Sequence, residues 1–352
     1  MVRIGLIGFG LAGQAFHAPV IRGVEGMELA CILDRHGSKA QQKYPEVRVA
    51  RTLDELLSDK TIGLIVVATP NDSHFSYTKD CLEAGRDVVV DKPFTPTLAE
   101  AEQLVRLAAE RGRLVTVYQD RRWDGGAHTV RKLIASGELG RIAEFEVRFD
   151  RFRLEVKPNA WREQPDQAAS GVLWDLGPHL IDQALVLFGE PKALWASAFC
   201  QRESSQVDDA FDVYMEYPRT RAILRARILA YTPGPHVLLH GTAGSFVKYG
   251  MDPQEEILRS ENCPDGPDWG ANWGEEPQER WGTLSLVNGE TRKVKTERGD
   301  YRGFYVNVRD AIEKRTSLDV TPEQALRTMR GVLLAHKSSR EKRVVRWDEP
   351  VE

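Results

Sequence analysis

Cysteine is scarce in this sequence, neither sign of charge dominates, and no long apolar run is present. The cysteines lie far apart and form no C-x-x-C pair, which argues against a disulfide framework and a structural zinc site. Lysine and arginine number 48 against 52 aspartates and glutamates, so we expect no basic face for a polyanion and no nucleic acid partner. The cysteines, which we expect to be reduced thiols, are Cys31, Cys81, Cys200 and Cys263.

Membrane and secretion signals are also missing. No segment reaches the length that crosses a membrane, and the opening stretch MVRIGLIGFG has a strand pattern without a charged leader or cleavage site. We therefore expect no membrane partner and a cytoplasmic location. A small molecule is the expected ligand.

The chain is long enough, at 352 residues, for two domains with separate cores. Up to residue 120, short β-branched runs alternate with amphipathic helical segments, which predicts a parallel sheet of βαβ units. After about residue 140, alternation in twos predicts a mainly antiparallel sheet in a second, α+β domain over 121–352. Residues 260–282 predict a long loop ordered by tryptophans, and a final helix over 321–340 is a candidate to pack back on the first domain.

Gly8, Gly10 and Gly13 form a G-x-G-x-x-G motif between the first predicted strand and a helix. Glycine there permits a tight turn and lets the backbone approach a pyrophosphate, which binds the N–H groups at the positive end of the helix dipole. A glycine-rich structural turn explains the motif alone equally well. Asp34 ends the second strand 21 residues after Gly13, near the spacing of an acid that binds ribose hydroxyls, and this context favours a dinucleotide site.

Two neighbouring residues bear on whether the cofactor carries a 2′-phosphate. Asp34 would repel that phosphate, whereas Arg35 could accept it or stack on adenine, so we favour NAD over NADP and leave NADP open. After the fourth strand, Pro70 and Asn71 lie at the edge along which a dinucleotide would pass. An ordinary Asn-Asp turn that caps the next helix explains these residues as well.

Two further stretches carry candidate catalytic groups. In VVVDKPFTPT, Lys92 follows an apolar run and a single aspartate, although a solvated loop lysine is the ordinary interpretation. Asp175 and His179 are four residues apart and would share one face of a helix, so the carboxylate could hold the imidazole. The alternative is a helix start, with Asp175 as a cap and His179 as a half-buried polar contact. No third ligand at a matching spacing supports a metal site.

In their order along the chain, these features resemble the Gfo/Idh/MocA family, which includes glucose-fructose oxidoreductase and inositol dehydrogenase. The resemblance covers essentially the whole chain. It implies a Rossmann domain joined to an α+β domain with a large, open-faced, mainly antiparallel sheet that forms a homodimer or homotetramer interface. Within the family, the stretches most similar to the scyllo-inositol dehydrogenases and their close relatives are VYQDRRWD, WREQ, WDLGPHLIDQALVLFG, HGTAGSFVKYG and SSREKR.

The resemblance implies an NAD(P)-dependent oxidoreductase that interconverts a secondary hydroxyl and a ketone on a cyclic polyol or sugar, with scyllo-inositol foremost. Lys92 would stabilise the developing alkoxide, and the Lys92–Pro93 bond could be cis. His179 would be the general base, oriented by Asp175. The resemblance implies cofactor contacts for Gly8, Gly10, Leu11, Ala12, Gly13, Asp34, Arg35, Thr69, Pro70, Asn71, His74 and Lys92.

The sequence departs from the family pattern at two positions. Asp91 replaces the usual glutamate before the lysine and is one methylene shorter. Asp120 stands where relatives commonly have asparagine, so its charge could alter substrate choice unless Arg121 or Arg122 neutralises it. The candidates for the substrate wall, several of which surface packing would explain as well, are Lys92, Asp120, Asp124, Arg153, Trp161, Arg162, Asp175 and His179.

Other functions remain open on the sequence. The family includes regulators that bind the dinucleotide without chemistry, so a non-catalytic sensor is one alternative, although a sensor needs neither the lysine nor the Asp-His pair. A second alternative keeps the enzyme but changes the substrate to an aldopyranose, an imine, a tetrapyrrole or a glycoside.

Overall fold

A computed structural model describes residues 1–35, 38–156 and 160–351, without the side chains of Ser38 and Trp161. These residues form two compact units, and one division between them falls after Asp120. The prediction assigned everything beyond residue 120 to the second domain, but two later segments belong to the first unit. The first unit contains Met1–Asp120, Gln254–Trp273 and Asp300–Leu326, and the second contains Arg121–Pro253, Gly274–Gly299 and Arg327–Glu352.

The strands and α-helices of the described residues are numbered here in chain order. The strands are β1 Val2–Ile7, β2 Met27–Leu33, β3 Arg48–Ala50, β4 Leu64–Val67, β5 Asp87–Val90, β6 Val115–Val117, β7 Ile142–Asp150, β8 Ala193–Phe199, β9 Ala210–Glu216, β10 Arg221–Arg227, β11 Val237–Gly241, β12 Gly244–Lys248, β13 Gly282–Leu286, β14 Thr291–Val294 and β15 Val345–Arg346. The helices are α1 Ala18–Arg22, α2 Ser38–Lys43, α3 Leu53–Ser58, α4 His74–Glu83, α5 Leu98–Arg111, α6 Gly125–Ser136, α7 Val172–Phe188, α8 Gln254–Leu258, α9 Arg302–Ile312 and α10 Pro322–Glu341.

The first unit is built on a six-stranded parallel sheet in the order β3-β2-β1-β4-β5-β6. Its central strands are apolar almost throughout because helices cover both faces of such a sheet, and all four residues of β4 are buried. This strand order is that of the Rossmann fold, in which ligands bind outside the carboxyl ends of the strands where the order reverses. The turns that follow β1, β4 and β5 carry Gly8, Asn71 and Lys92, and they therefore meet at that edge.

The second unit is built on a nine-stranded sheet in the order β14-β13-β12-β11-β7-β10-β9-β8-β15. The pairing is antiparallel as predicted, except that β10 pairs with β7 in the parallel direction. On one face, Phe145 and Val147 of β7 share a core with Leu173 and Leu180 of α7. This packing fixes α7, the helix that carries Asp175 and His179, against the sheet.

Charged and aromatic side chains occupy the other face of this sheet. Arg225 lies 3.5 Å from the Glu146 carboxylate, and Arg227 pairs with Asp212 at 2.7 Å. The Trp195 and Tyr214 rings stand 5.5 Å apart, and Trp195 is 37% exposed. The face is therefore lined by ion pairs and partly accessible rings.

The tryptophan-rich segment 260–282 is ordered, as its composition predicted. The rings of Trp269 and Trp273 are buried in the first unit and lie 4.3 Å apart. The Arg302 guanidinium stacks on Trp269 at 4.7 Å, and the Trp273 indole donates to Gln254 at 3.1 Å. These contacts tie the returning segments to one another.

Among the helices of the described residues, none combines the length and apolar composition that a membrane crossing requires. In the same part of the chain, no group of three or more His, Cys, Asp or Glu side chains is arranged to hold a metal ion. The four cysteines are free thiols.

Candidate functional site

The glycine turn after β1 has the geometry that a dinucleotide requires. Gly8 adopts φ +96°, and a Cβ there would lie 2.5 Å from the carbonyl oxygen of Ala68. A Cβ on Gly13 would lie 2.2 Å from the carbonyl oxygen of Gly8, whereas one on Gly10 would meet nothing within 4 Å. Two of the glycines thus close the turn against neighbouring backbone, and the third leaves its face open. The turn fits the approach of a pyrophosphate at Gly10.

A cationic side chain that the sequence analysis did not identify, that of Arg51, lies at the carboxyl end of β2. Asp34 is half-buried, and its Oδ2 accepts from the backbone N–H of Ala40 at 3.4 Å. Arg51 donates from Nη1 to the carbonyl oxygens of Asp34 and Arg35, at 3.3 and 3.5 Å. Arg35 itself is exposed. The predicted adenosine end of the site therefore combines one carboxylate with two guanidinium groups.

The turn after β4 leads into α4 through a short 3-10 turn, Asn71–Ser73. Pro70 is exposed and Asn71 is buried, and the Ser73 hydroxyl donates to Thr69 Oγ1 at 2.8 Å. The residue at the N-cap of α4 is Ser73, and Asn71 begins the 3-10 turn that precedes this helix.

His74 is fully buried directly behind this turn. Its Nδ1 lies 2.8 Å from the Pro93 carbonyl oxygen and its Nε2 lies 3.0 Å from that of Thr69. Burial lowers the pKa of His74, whereas Asp91 and the hydrogen bonds to carbonyl groups act to raise it. Only the protonated ring can donate to both oxygens, because a neutral imidazole has a single N–H. Both ring nitrogens face backbone carbonyl oxygens, and the His74 side chain has no exposed surface. It joins the turn after β4 to the turn after β5.

Lys92 lies in the turn that follows β5, and the Lys92–Pro93 peptide bond is cis. The lysine is half-buried, and its backbone N–H donates to Asp91 Oδ1 at 2.8 Å. Asp91 is buried, with Oδ1 also 3.8 Å from His17 Nε2. Burial alone would raise the pKa of the Asp91 carboxyl, but His17, Lys92 and His74 outweigh it and hold this pKa well below its usual range. The backbone of the lysine turn is therefore hydrogen-bonded to an ionised, buried carboxylate.

Helix α7 begins at a cap supplied by Asp208, which lies in the segment between β8 and β9. Its N-cap residue is Gly171, with φ +96°, and the Leu173 N–H donates to Asp208 Oδ2 at 2.7 Å. Burial raises the pKa of the Asp208 carboxyl to about 6. Asp175 lies one turn further into the helix, so the alternative interpretation of Asp175 as the cap is wrong.

Asp175 and His179 lie one turn apart on α7, as their spacing predicted. The Asp175 carboxylate forms an ion pair with Arg162, with 3.1 Å between Arg162 Nε and Asp175 Oδ1. Both side chains are partly exposed, whereas His179 is buried, with only 6% of its surface accessible. An accessible carboxylate thus precedes a sheltered imidazole by one helical turn.

The surroundings of His179 are aromatic. The Phe149 ring meets the His179 ring edge-on at 6.3 Å and stacks on His236 at 5.5 Å. The Arg121 guanidinium lies 5.4 Å from the centre of the Phe149 ring. Burial lowers the pKa of His236 to about 4, so this second imidazole is neutral at pH 7. Its sequence position gave no sign of this contact.

The remaining candidates for the substrate wall occupy varied environments. Asp120 and Asp124 are both buried, and Arg121 Nη1 lies 3.6 Å from Asp124 Oδ1. Arg122 makes a two-point ion pair with Asp182, at 2.7 Å for each contact. Arg153 is half-buried, and the Trp161 side chain lies outside the described residues. Asp124 is therefore part of a buried ion pair and not of a solvated surface.

Comparison with known proteins agrees with this organisation. Residues 2–119 match the family described as "Oxidoreductase family, NAD-binding Rossmann fold", and residues 127–247 match the Gfo/Idh/MocA C-terminal domain. A curated relative, the uncharacterised oxidoreductase YdgJ of Escherichia coli, is 41% identical over 96% of each chain. The scyllo-inositol 2-dehydrogenase (NADP+) IolW of Bacillus subtilis is 36% identical over 98% of this chain and 95% of its own.

A solved structure supports the same assignment. An oxidoreductase from Bacillus cereus superposes with a TM-score of 0.88 at 30% identity, over 99% of each chain. The glycine turn, the sheet order and the lysine turn described above thus occur in a chain that resembles these proteins over nearly its full length. The chain belongs to the Gfo/Idh/MocA family of oxidoreductases.

Proposed function

We propose that the chain is an NAD(P)-dependent dehydrogenase that interconverts a secondary hydroxyl and a ketone on a cyclic polyol or sugar. The observation that carries the proposal is the lysine turn, where a half-buried Lys92 follows an ionised and buried Asp91 at the carboxyl edge of a Rossmann sheet. The relative named as a scyllo-inositol 2-dehydrogenase supports scyllo-inositol and the matching inosose as the first substrate pair.

The role proposed for Lys92 is electrostatic. A lysine ammonium stabilises the negative charge that develops on the substrate oxygen as the hydride leaves the adjacent carbon. Acceptance of that hydride is the chemistry that a bound nicotinamide would supply. Gly10 leaves room for the pyrophosphate, and Asn71 and Thr69 lie in the turn that follows the neighbouring strand.

The role proposed for His179 is that of general base. In the oxidation direction its imidazole takes the hydroxyl proton, and in the reduction direction it returns that proton. Asp175 favours the charged form of this imidazole, and Arg162 holds Asp175 in place through the ion pair. Phe149 shelters the ring from water, and neutral His236 adds no competing charge.

We propose NAD as the preferred cofactor, because the Asp34 carboxylate would repel a 2′-phosphate. Arg35 and Arg51 act in the opposite direction, since either guanidinium can pair with a phosphate. A relative at 36% identity is named for NADP, which makes the comparison of the two cofactors informative.

We further propose a cytoplasmic enzyme that forms a homodimer or homotetramer through the nine-stranded sheet. The ion pairs and aromatic rings on its second face support this proposal, because such rings are common in protein interfaces. Light scattering after size-exclusion chromatography tests it, and a Trp195→Glu variant should shift the mass toward the monomer. A monomeric wild-type protein would contradict it.

The test of the proposed function is a panel of scyllo-inositol, myo-inositol and aldopyranoses, each offered with NAD and with NADP. Formation of reduced nicotinamide at 340 nm is the readout. We expect the highest kcat/KM with scyllo-inositol and NAD. Turnover with an aldopyranose alone would replace the substrate class, and dinucleotide binding without turnover on any polyol would favour a non-catalytic sensor.

A further inference from the structure

Two buried polar side chains that have no part in the mechanism above, those of Tyr305 and His17, form a chain with Asp91 behind the lysine turn. Tyr305 of α9, His17 of the helical turn after the glycine motif, and Asp91 are all within the first unit. The Tyr305 hydroxyl lies 2.6 Å from His17 Nδ1, and His17 Nε2 lies 3.8 Å from Asp91 Oδ1. Tyr305 and His17 have no exposed surface. The chain ends at Lys92, whose backbone N–H donates to Asp91.

The carboxylate determines the protonation of this chain. A negative oxygen that faces Nε2 favours the tautomer with the proton on that nitrogen, which leaves Nδ1 as an acceptor. Burial and the Asp91 charge raise the pKa of Tyr305 well above its ordinary value, so its hydroxyl keeps its proton and donates to Nδ1. The hydroxyl thus fixes the ring, and the ring presents an N–H to the carboxylate. The 3.8 Å separation is longer than a direct hydrogen bond, so this last contact is electrostatic.

The other groups around Asp91 have different tasks. His74 of α4 and the Lys92 ammonium also act on the Asp91 charge. His74 is held by two backbone carbonyl groups, and the Tyr118 hydroxyl donates to the Phe16 carbonyl oxygen at 3.0 Å. His17 therefore supplies a facing N–H that none of these contacts replaces.

We propose that Tyr305 and His17 are positioning residues that keep Asp91 ionised and fixed, and that Asp91 in turn holds the Lys92 turn in its working geometry. This inference rests on the proposed function for its kinetic consequences. It connects the glycine turn to the lysine turn, since His17 follows Gly13 by a single helical turn.

The test uses three variants and one matched control in the full-length protein. His17→Leu removes both ring nitrogens, His17→Gln retains an amide N–H, and Tyr305→Phe removes the hydroxyl without changing the ring. Tyr118→Phe is the control, because its ring packs 4.4 Å from His17 but its hydroxyl bonds elsewhere. The readouts are kcat and KM for substrate and dinucleotide from pH 5 to 9, and the unfolding midpoint from pH 3 to 8.

We expect kcat to fall by about 100-fold in His17→Leu, the effect of a displaced catalytic group. In Tyr305→Phe, which loses one hydrogen bond, we expect a fall of about tenfold or less. The KM for the dinucleotide should change by less than about twofold, because the glycine turn is intact. In the pH profile of kcat, the acid limb should lie at a higher pH in His17→Gln than in wild type, and at a still higher pH in His17→Leu. It should not move in Tyr118→Phe. An unshifted acid limb, or an equal loss in Tyr118→Phe, would overturn the proposal.

The unfolding midpoints separate this proposal from the proposed function. Since His17 lowers the pKa of Asp91, its removal raises that pKa, and acid should then destabilise the variants from a higher pH than it destabilises the wild type. That shift should appear even if no polyol is turned over, and its absence would overturn the proposal on its own. If His17→Leu does not fold, Tyr305→Phe provides the test. Its acid unfolding should move to a higher pH than that of Tyr118→Phe, by less than we expect for His17→Leu, and the absence of this difference would overturn the proposal.

Discussion

The carbonyl oxygen of Gly8 lies so close to Gly13 that a Cβ on Gly13 would stand 2.2 Å from it. Gly10, between them in sequence, has open space on the side where its Cβ would point. The three glycines of one motif therefore have separable purposes. Gly13 is required by the fold of the turn itself, and Gly10 is required only when a pyrophosphate approaches the backbone.

This difference predicts a contrast between two alanine variants. Gly10→Ala should change the free energy of unfolding by about 0.5 kcal/mol or less, the range of ordinary surface changes, and raise the Kd for the dinucleotide by about tenfold or more. Gly13→Ala should weaken binding and also lower the unfolding midpoint, because the backbone must shift. Thermal unfolding and fluorescence titration with NADH measure both. Equal destabilisation by the two substitutions would contradict the assignment of Gly10 to cofactor approach.

His74 gives a second prediction, for the two turns that it joins. His74→Leu leaves the carbonyl groups of Thr69 and Pro93 without these contacts, each at a cost of about 1–3 kcal/mol in a buried site. We expect a lower unfolding midpoint together with loss of turnover. Ser76→Ala, an exposed change on the same helix, is the control and should alter neither quantity. A stable His74→Leu protein with full activity would show that the turns hold without this ring.

The cap of α7 predicts a pH-dependent stability. The pKa of Asp208 is about 6 in the folded protein, above the ordinary value of 3.8, so the folded state retains a proton that the unfolded state releases. The stability that this group contributes is complete below about pH 4 and is lost as the pH rises through about 6. Asp208→Asn keeps the acceptor oxygen for Leu173 but cannot ionise. Its midpoint relative to wild type should therefore rise by a few degrees between pH 4.5 and 7.5.

An exposed change, Asp166→Asn, serves as the control for that series and should show a flat difference. A flat difference for Asp208→Asn as well would mean that the carboxyl ionises normally in the folded protein.

The ion pair between Arg162 and Asp175 predicts a change in activity without a large change in stability. Both groups are partly exposed, and such pairs contribute about 1 kcal/mol or less. Arg162→Ala should therefore leave the unfolding midpoint nearly unchanged and lower kcat/KM severalfold, because Asp175 loses the cation that orients it. Arg162→Lys retains the charge without the planar guanidinium and should be intermediate. An unchanged kcat/KM in Arg162→Ala would show that Arg162 does not orient Asp175 for the reaction.

Local sequence signals predicted much of the fold. The G-x-G-x-x-G turn, the parallel sheet and the alternating strands of the second domain depend on residues close together in the chain, and the structure confirms them. The direction of the pairing between β7 and β10 could not be predicted, because alternation identifies a strand but not its partner. The return of residues 254–273 and 300–326 to the first unit likewise left no local pattern.

The supporting residues of the site were beyond sequence reasoning for a similar reason. Asp208 caps α7 from 35 residues away, and a nearer acid, Asp175, offered the more obvious cap. Tyr305 and His17 are 288 positions apart. Nothing in either segment marks the other, since a buried hydrogen bond between distant residues follows from the tertiary packing alone. Residues marked by a local motif could thus be proposed as site residues from the sequence, whereas the residues that support them could not.

The role proposed for Lys92 is in the chemical step and not in the binding of the dinucleotide. Lys92→Ala and wild type should be compared for NADH affinity by fluorescence titration and for turnover of scyllo-inositol under saturating cofactor. We predict a Kd within about threefold of wild type and a kcat reduced by about 1,000-fold, the loss expected when a charge that stabilises a transition state is removed. A variant that binds NADH equally well and turns over at the wild-type rate would contradict the account.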